Sequence, residues 1–268
     1  MEYLEGRKLS VDALAMGLID AHCHLQDEEF EKDRDEIVER SRWAGITSIV
    51  TSSLSRADAS KVLEITGKYR GYVYACIGLD PADLDPKEAE GVKEFIRMYR
   101  NKIVGVGEVG LDYYRVRENG PRDLQIRLFK EWVDLAEELH LPLIVHSRSA
   151  GKRAVQVLLE IGFTRVLMHA YDGRAGWALK AAEEGMRFSI PTSVWHSEQK
   201  QKLVKALPLD SLLVETDAPV LSPIRGERNE PANLIYAVKK IAELKGVSEV
   251  EVAQITTKNA KSFFQLGI

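Results

Sequence analysis

A chain of 268 residues, 45% apolar and 29% charged, can bury a sizeable core and fits one large domain or two small ones. Its formal charge of −4 at pH 7 excludes a protein that coats nucleic acid through a generally basic surface, because such binding neutralises many phosphates; a local basic site stays compatible. Two cysteines, Cys23 and Cys76, exclude a disulfide framework and form no Cys-x-x-Cys pair, so both are expected to be small buried groups.

No apolar run is long enough to span a bilayer, and the opening Met1-Glu-Tyr-Leu-Glu-Gly-Arg-Lys does not read as a signal peptide. A cytoplasmic protein with no membrane and no obligate protein partner is the expectation. Residues 1–17 read as a short N-terminal extension, a helical cap on the barrel floor, and residues 18–268 as one domain. Short runs rich in Val, Ile and Leu then alternate with longer amphipathic stretches, the pattern of parallel strands joined by crossover helices. The predicted strands are Leu18–His22, Ser48–Ser52, Val73–Ile77, Ile103–Glu108, Leu143–His146, Val166–His169, Arg187–Ile190 and Leu212–Glu215. The clearest helix is Asp123–Leu139, where Leu124, Leu128, Trp132, Leu135 and Leu139 recur at three- and four-residue steps and Pro121 stands just before the start. Ser248, with Glu251 three residues on, announces a capped C-terminal helix. Eight such units in one chain predict an α/β fold, a (β/α)8 TIM barrel with a C-terminal helix. An open doubly wound sheet would want a glycine-rich loop after the first strand, where this chain has Asp20-Ala-His-Cys-His.

Side chains alternate faces along a strand, so Asp20, His22 and His24 share one face. They end a barrel strand on the side where barrel active sites lie. The other strand ends repeat the theme with Glu108, His146, His169 and Asp217, so four of the six histidines close predicted strands. Singly, each is better read as a satisfied buried polar group; jointly, four imidazoles and two carboxylates at one mouth would bury unpaired charge at high cost unless metal occupied the site. His22, His24, Glu108, His146, His169 and Asp217 therefore form a candidate set for one to two divalent ions, with zinc, manganese and magnesium all open. Two dications bring about +4 against the −2 of the carboxylates, which attracts an anion and lowers the pKa of bound water. The set suits phosphate ester hydrolysis, with Glu108 able to bridge two ions and Asp217 suited to bind one and accept the proton of attacking water. His140, at a helix end, and His196, after strand seven, stay outside the set.

Asp20-Ala-His-Cys-His-Leu, Gly107-Glu-Val-Gly-Leu-Asp-Tyr-Tyr, Arg122-Asp-Leu-Gln, Leu141-Pro-Leu-Ile-Val-His-Ser-Arg, Glu215-Thr-Asp-Ala-Pro and Arg225-Gly-Glu-Arg-Asn-Glu-Pro, in this order, resemble the TatD family of metal-dependent deoxyribonucleases. The likeness spans residues 18 to 265. It implies the same six metal ligands, with magnesium, manganese or zinc, and cleavage of DNA, often from a 3′ end. For such a substrate, Arg148, Arg225 and Arg228 are candidate phosphate contacts within a rim that also holds Arg115, Arg117, Arg122 and Arg174. Tyr113, and beside it Tyr114 and Tyr171, are candidates for stacking on bases. Two positions depart from the family pattern: Gly78-Leu-Asp80-Pro81 carries an acid where Gly-x-His-Pro is usual, and His169-Ala170-Tyr171 replaces His-Cys-Phe. Asp80 at a mouth is expected to repel a phosphate. The rival readings are a small-molecule amidohydrolase or lactonase, against whose lysine-bridged version Glu108 argues, an aminoacyl-tRNA deacylase, and a non-catalytic metal protein.

Overall fold

Each apolar run pairs with the next in parallel and in strict chain order. In this computed structural model, which describes residues 17–267, the strands are β1 (Leu18–Cys23), β2 (Ile46–Ser52), β3 (Val73–Ile77), β4 (Ile103–Gly110), β5 (Leu143–His146), β6 (Val166–Met168), β7 (Arg187–Pro191) and β8 (Leu212–Glu215). Just past β8 the Asp217 amide donates to the His22 carbonyl at 2.9 Å, and the His24 amide to the Ala218 carbonyl at 2.8 Å. These bonds stitch the last strand to the first at their C-terminal ends. The predicted (β/α)8 barrel is the fold.

The helices are α1 (Arg34–Trp43), α2 (Arg56–Lys68), α3 (Pro86–Met98), α4 (Asn119–Glu138), α5 (Gly151–Ile161), α6 (Ala175–Glu183), α7 (Glu198–Ala206), α8 (Leu234–Lys245) and α9 (Glu249–Phe264). One follows each strand, and α9 is additional. Helix α4 begins four residues earlier than its leucine spacing predicts, and Pro121 lies inside its first turn. A proline costs nothing there, since the first amides of a helix have no partner within it. Strand β4 runs two residues beyond Glu108, because Val109 and Gly110 still pair with Val145 and His146. Strand β6 stops one residue short of the prediction, so His169 stands just past its end.

Two buried layers hold the fold. The outer one lies between sheet and helices and includes Leu128, Phe129 and Trp132 of α4. The inner one fills the barrel with Ile19, Ala21, Val50, Cys76, Ile144, Leu167 and Leu213. Ala260, Phe263 and Phe264 of α9 close this inner layer. Thr257 Oγ1 donates to the Gly17 carbonyl and Asn259 Nδ2 to the Leu212 carbonyl, each at 2.8 Å, which fixes α9 under the starts of β1 and β8. Ser248 accepts from the Glu251 amide at 3.1 Å and caps α9 as predicted. The helical cap expected over residues 1–17 lies, apart from Gly17, outside the described residues. Cys23 and Cys76 are both buried and unbridged.

Candidate metal centre

The mouth is built by strand ends that the sheet register brings level. His22 and His24, from β1 and the residue after it, turn their Nε2 atoms to within 3.3 Å of each other. Glu108 Oε2 lies 3.2 Å from His22 Nε2 and 3.3 Å from His24 Nε2, and Asp217 Oδ1 lies 3.4 and 3.5 Å from the same two atoms. The other oxygen of Glu108 looks away, with His146 Nδ1 at 2.6 Å and His169 Nε2 at 3.3 Å. Gly78 allows Glu108 this position: a Cβ there would stand 2.3 Å from the Glu108 carbonyl oxygen. Asp217 has a left-handed backbone, φ 54°, a conformation aspartate tolerates better than most residues.

Each imidazole is held from behind. His24 Nδ1 meets the Ser52 carbonyl at 2.9 Å, His22 Nδ1 the Ser52 hydroxyl at 3.2 Å, His146 Nε2 the Asp112 carboxylate at 3.2 Å and His169 Nδ1 the Glu215 carboxylate at 3.3 Å. A carbonyl or carboxylate only accepts, so His24, His146 and His169 carry their outer hydrogens on those atoms and can turn bare nitrogens inward. Donors about 2.0–2.1 Å from a tetrahedral ion stand about 3.3 Å apart. The 3.2 to 3.5 Å separations among His22, His24, Glu108 and Asp217 fit one such ion. Glu108, His146 and His169 form a second group able to hold a cation, joined to the first through Glu108.

The electrostatics fit as well. Burial alone would push the Glu108 carboxyl up, but His169 and His146 hold it well below its usual range. Burial likewise opposes charge on His24 and His146, yet His24 is held at about 10 by Asp217 and Glu108, and His146 at about 9 by Asp112 and Glu108. Protons here do what a cation would do. Asp20, although on the ligand face of β1, takes no part. It is buried, accepts from the Thr216 amide at 2.9 Å, and ties β1 to the segment that carries Asp217; burial raises its carboxyl to about 8.

Above the centre opens a cavity of about 640 Å³, with His24, Glu108, His146, His169 and Asp217 in its wall. Arg148 lines it, its guanidinium 3.8 Å above the ring of exposed Tyr114. The other substrate candidates are placed differently. Arg225 is exposed but outside the cavity wall, and Arg228 is engaged by the Glu29 carbonyl and by Asp33, with one contact at 3.0 Å. Tyr113 is half-buried under Arg122, and Tyr171 is wholly buried, edge-on to Phe188. Asp80 faces the cavity, but Arg115 grips both its oxygens and reaches Asp112 with its Nε at 2.9 Å, so the expected repulsion is largely cancelled. His196 bonds the Ser222 carbonyl at 3.1 Å, and His140 follows α4 with φ 54°; neither lines the cavity.

Sequence reasoning missed the supports of the histidines. Asp112 and Glu215 appear in the sequence only as parts of motifs, although alternation puts Glu215 on the face of Asp217, and nothing marks Ser52. The Arg225 to Pro231 segment is mainly structural: buried Asn229 donates to the Thr216 carbonyl at 2.7 Å and the Val220 carbonyl at 2.8 Å, and Glu230 pairs with Arg40 at 2.7 Å.

A family profile described as TatD related DNase matches residues 19–265. The human deoxyribonuclease TATDN3 is 38% identical over 263 residues, covering 94% of this chain and 96% of that protein. The uncharacterized metal-dependent hydrolase YabD of Bacillus subtilis is 34% identical, covering 93% and 100%. The crystal structure of YJJV, a TatD homolog from Escherichia coli, superposes with a TM-score of 0.85 at 26% identity, covering 94% of this chain and 99% of that one. With that likeness running from β1 through α9, and a histidine and carboxylate cluster able to hold divalent ions at its mouth, this chain belongs to the TatD related DNase family and is a metal-dependent hydrolase.

Proposed function

We propose that the chain hydrolyses phosphodiester bonds of DNA at the barrel mouth. The observation that carries this reading is Glu108, one buried carboxylate whose two oxygens serve two donor groups at the floor of an open cavity. His22, His24, Glu108 and Asp217 would hold one divalent ion, and Glu108, His146 and His169 a second. Such ions, when bound, supply Lewis acidity and lower the pKa of water. Asp217 lies in the cavity wall, and its histidine neighbours, His169 first, outweigh burial and keep it ionised. As a carboxylate of the cavity wall beside the first donor group, it is placed to take the proton of the attacking water. Arg148, which has no carboxylate partner among the described residues, presents a guanidinium to a phosphate oxygen. The name of the human relative, a deoxyribonuclease, supports DNA as the substrate.

The test is to strip the protein of metal, restore zinc, manganese or magnesium one at a time, and assay end-labelled DNA, RNA, acylated tRNA and a panel of small esters. Metal-dependent cleavage of DNA above the other substrates is the expected result. Faster turnover of acylated tRNA or an ester would reassign the substrate, and activity indifferent to chelator would remove the metals from the chemistry.

A further inference from the structure

Among the described residues, two cations of the cavity wall have no carboxylate partner, exposed Arg148 and buried Lys200. Lys200, in the first turn of α7, is 8% exposed, and its ammonium donates to the carbonyls of Ala170 and Tyr171, each at 2.7 Å. An ammonium has three hydrogens to donate. The third has no acceptor among the described residues, and Lys200 lines the cavity together with His169 and Asp217. A donor at the wall of an open cavity is met by solvent, and a phosphate oxygen that replaces that solvent gains a charge-assisted hydrogen bond.

The other cavity cations are placed differently. Arg115 is committed to Asp80 and Asp112, and Arg148 rests on Tyr114. Lys200 is also rigid: Ser197 caps its helix, and neighbouring Gln199 donates to the Gly173 carbonyl at 2.9 Å, so α7 is anchored to the loop that follows His169. A preorganised cation loses little entropy when it captures an anion.

Resting on the reading of the site as a phosphodiesterase, we propose that Lys200 is a substrate-binding residue whose free N–H, directed into the cavity beside the metal centre, holds a non-bridging phosphate oxygen of the substrate. Lys200 and Arg148 then supply the cavity's available positive charge, Lys200 deep and Arg148 toward the rim. The sequence gives no hint of this, since Glu198-Gln-Lys-Gln-Lys reads as a solvated helix face.

The test compares Lys200→Gln, which keeps donors for the two carbonyls but removes the charge, with Lys200→Arg, which keeps the charge. Metal-loaded wild type and both variants are assayed on single-stranded DNA across a salt series, with inorganic phosphate as a competitive probe and metal content measured on each preparation. The Gln variant should keep its metal, raise KM and the phosphate inhibition constant about tenfold or more, change kcat far less, and show a shallower salt dependence. The Arg variant should recover much of the phosphate binding. Unchanged KM and phosphate inhibition in the Gln variant would overturn the proposal. Loss of metal or fold in the Gln variant would also overturn it, making Lys200 only a clamp on the 170–171 loop. Failure of wild type itself to cut DNA would instead count against the phosphodiesterase reading, and phosphate inhibition of its true activity would still report on Lys200.

Discussion

His24 and His146 each face an acceptor on one ring nitrogen and a carboxylate on the other, which in the metal-free protein holds their pKa values at about 10 and about 9. Both lie above the ordinary histidine value of about 6.5. The stability they lend the metal-free fold is therefore fully present below about pH 6.5 and is lost as pH rises through about 9 to 10. Metal must displace these protons. Metal affinity should accordingly strengthen from about pH 6 to about pH 9, with proton release visible by calorimetry in buffers of different ionisation enthalpy. The melting temperature of metal-free protein should fall over the upper part of that range while the stabilisation by added metal grows. A flat affinity would show that the inner nitrogens are not protonated. At Asp217 the expected result of Asp217→Asn is a kcat lowered by about 10²–10⁴-fold with KM little changed. Metal content has to be measured on the same sample, because Asp217 also belongs to the first donor set. A variant that keeps its metal and close to full kcat would pass the role of base to Glu108 or Asp112.

At the level of elements, the loop after β8 holds two arginines that a sequence presents as equals. Arg228 spans to α1 by pairing with Asp33 just before it, whereas Arg225 has no such anchor among the described residues. The Arg228 pair is partly solvated, so Arg228→Ala should cost about 1 kcal/mol or less in denaturant unfolding and leave KM for DNA near wild type. Arg225→Ala should leave stability alone, raise KM for an oligonucleotide and flatten its salt dependence. If Arg228 and not Arg225 moved KM, the pairing with Asp33 would have to open when substrate binds.

For the molecule as a whole, the candidate metal centre sits at one end of the barrel and closure of the inner core at the other. Phe264 is 2% exposed and plugs the floor together with Phe263, whose ring meets it edge-on at 5.0 Å. Phe264→Ala should lower unfolding free energy by about 3–5 kcal/mol, read in chemical denaturation, while metal content and KM at the far end stay unchanged. A variant of normal stability would mean that the floor is closed chiefly by other contacts.

Period and position make the barrel legible. Eight apolar runs separated by amphipathic stretches have few packings open to them, and residues closing parallel strands must gather at one mouth, so His22, His24, Glu108, His146, His169 and Asp217 can be named as a candidate set before any contact is known. The start of α4 escapes such reading because a proline in a helix's first turn looks the same in sequence as one before it. Local pattern says which face a side chain occupies, but not which group waits for it across the fold. Tyr171 in the core, Arg228 on Asp33, Asp80 neutralised by Arg115, and the buried ammonium of Lys200 all depend on partners distant in the chain. Only the tertiary structure decided them, because the cost or benefit of a charge is set by the atoms packed against it rather than by its neighbours in sequence.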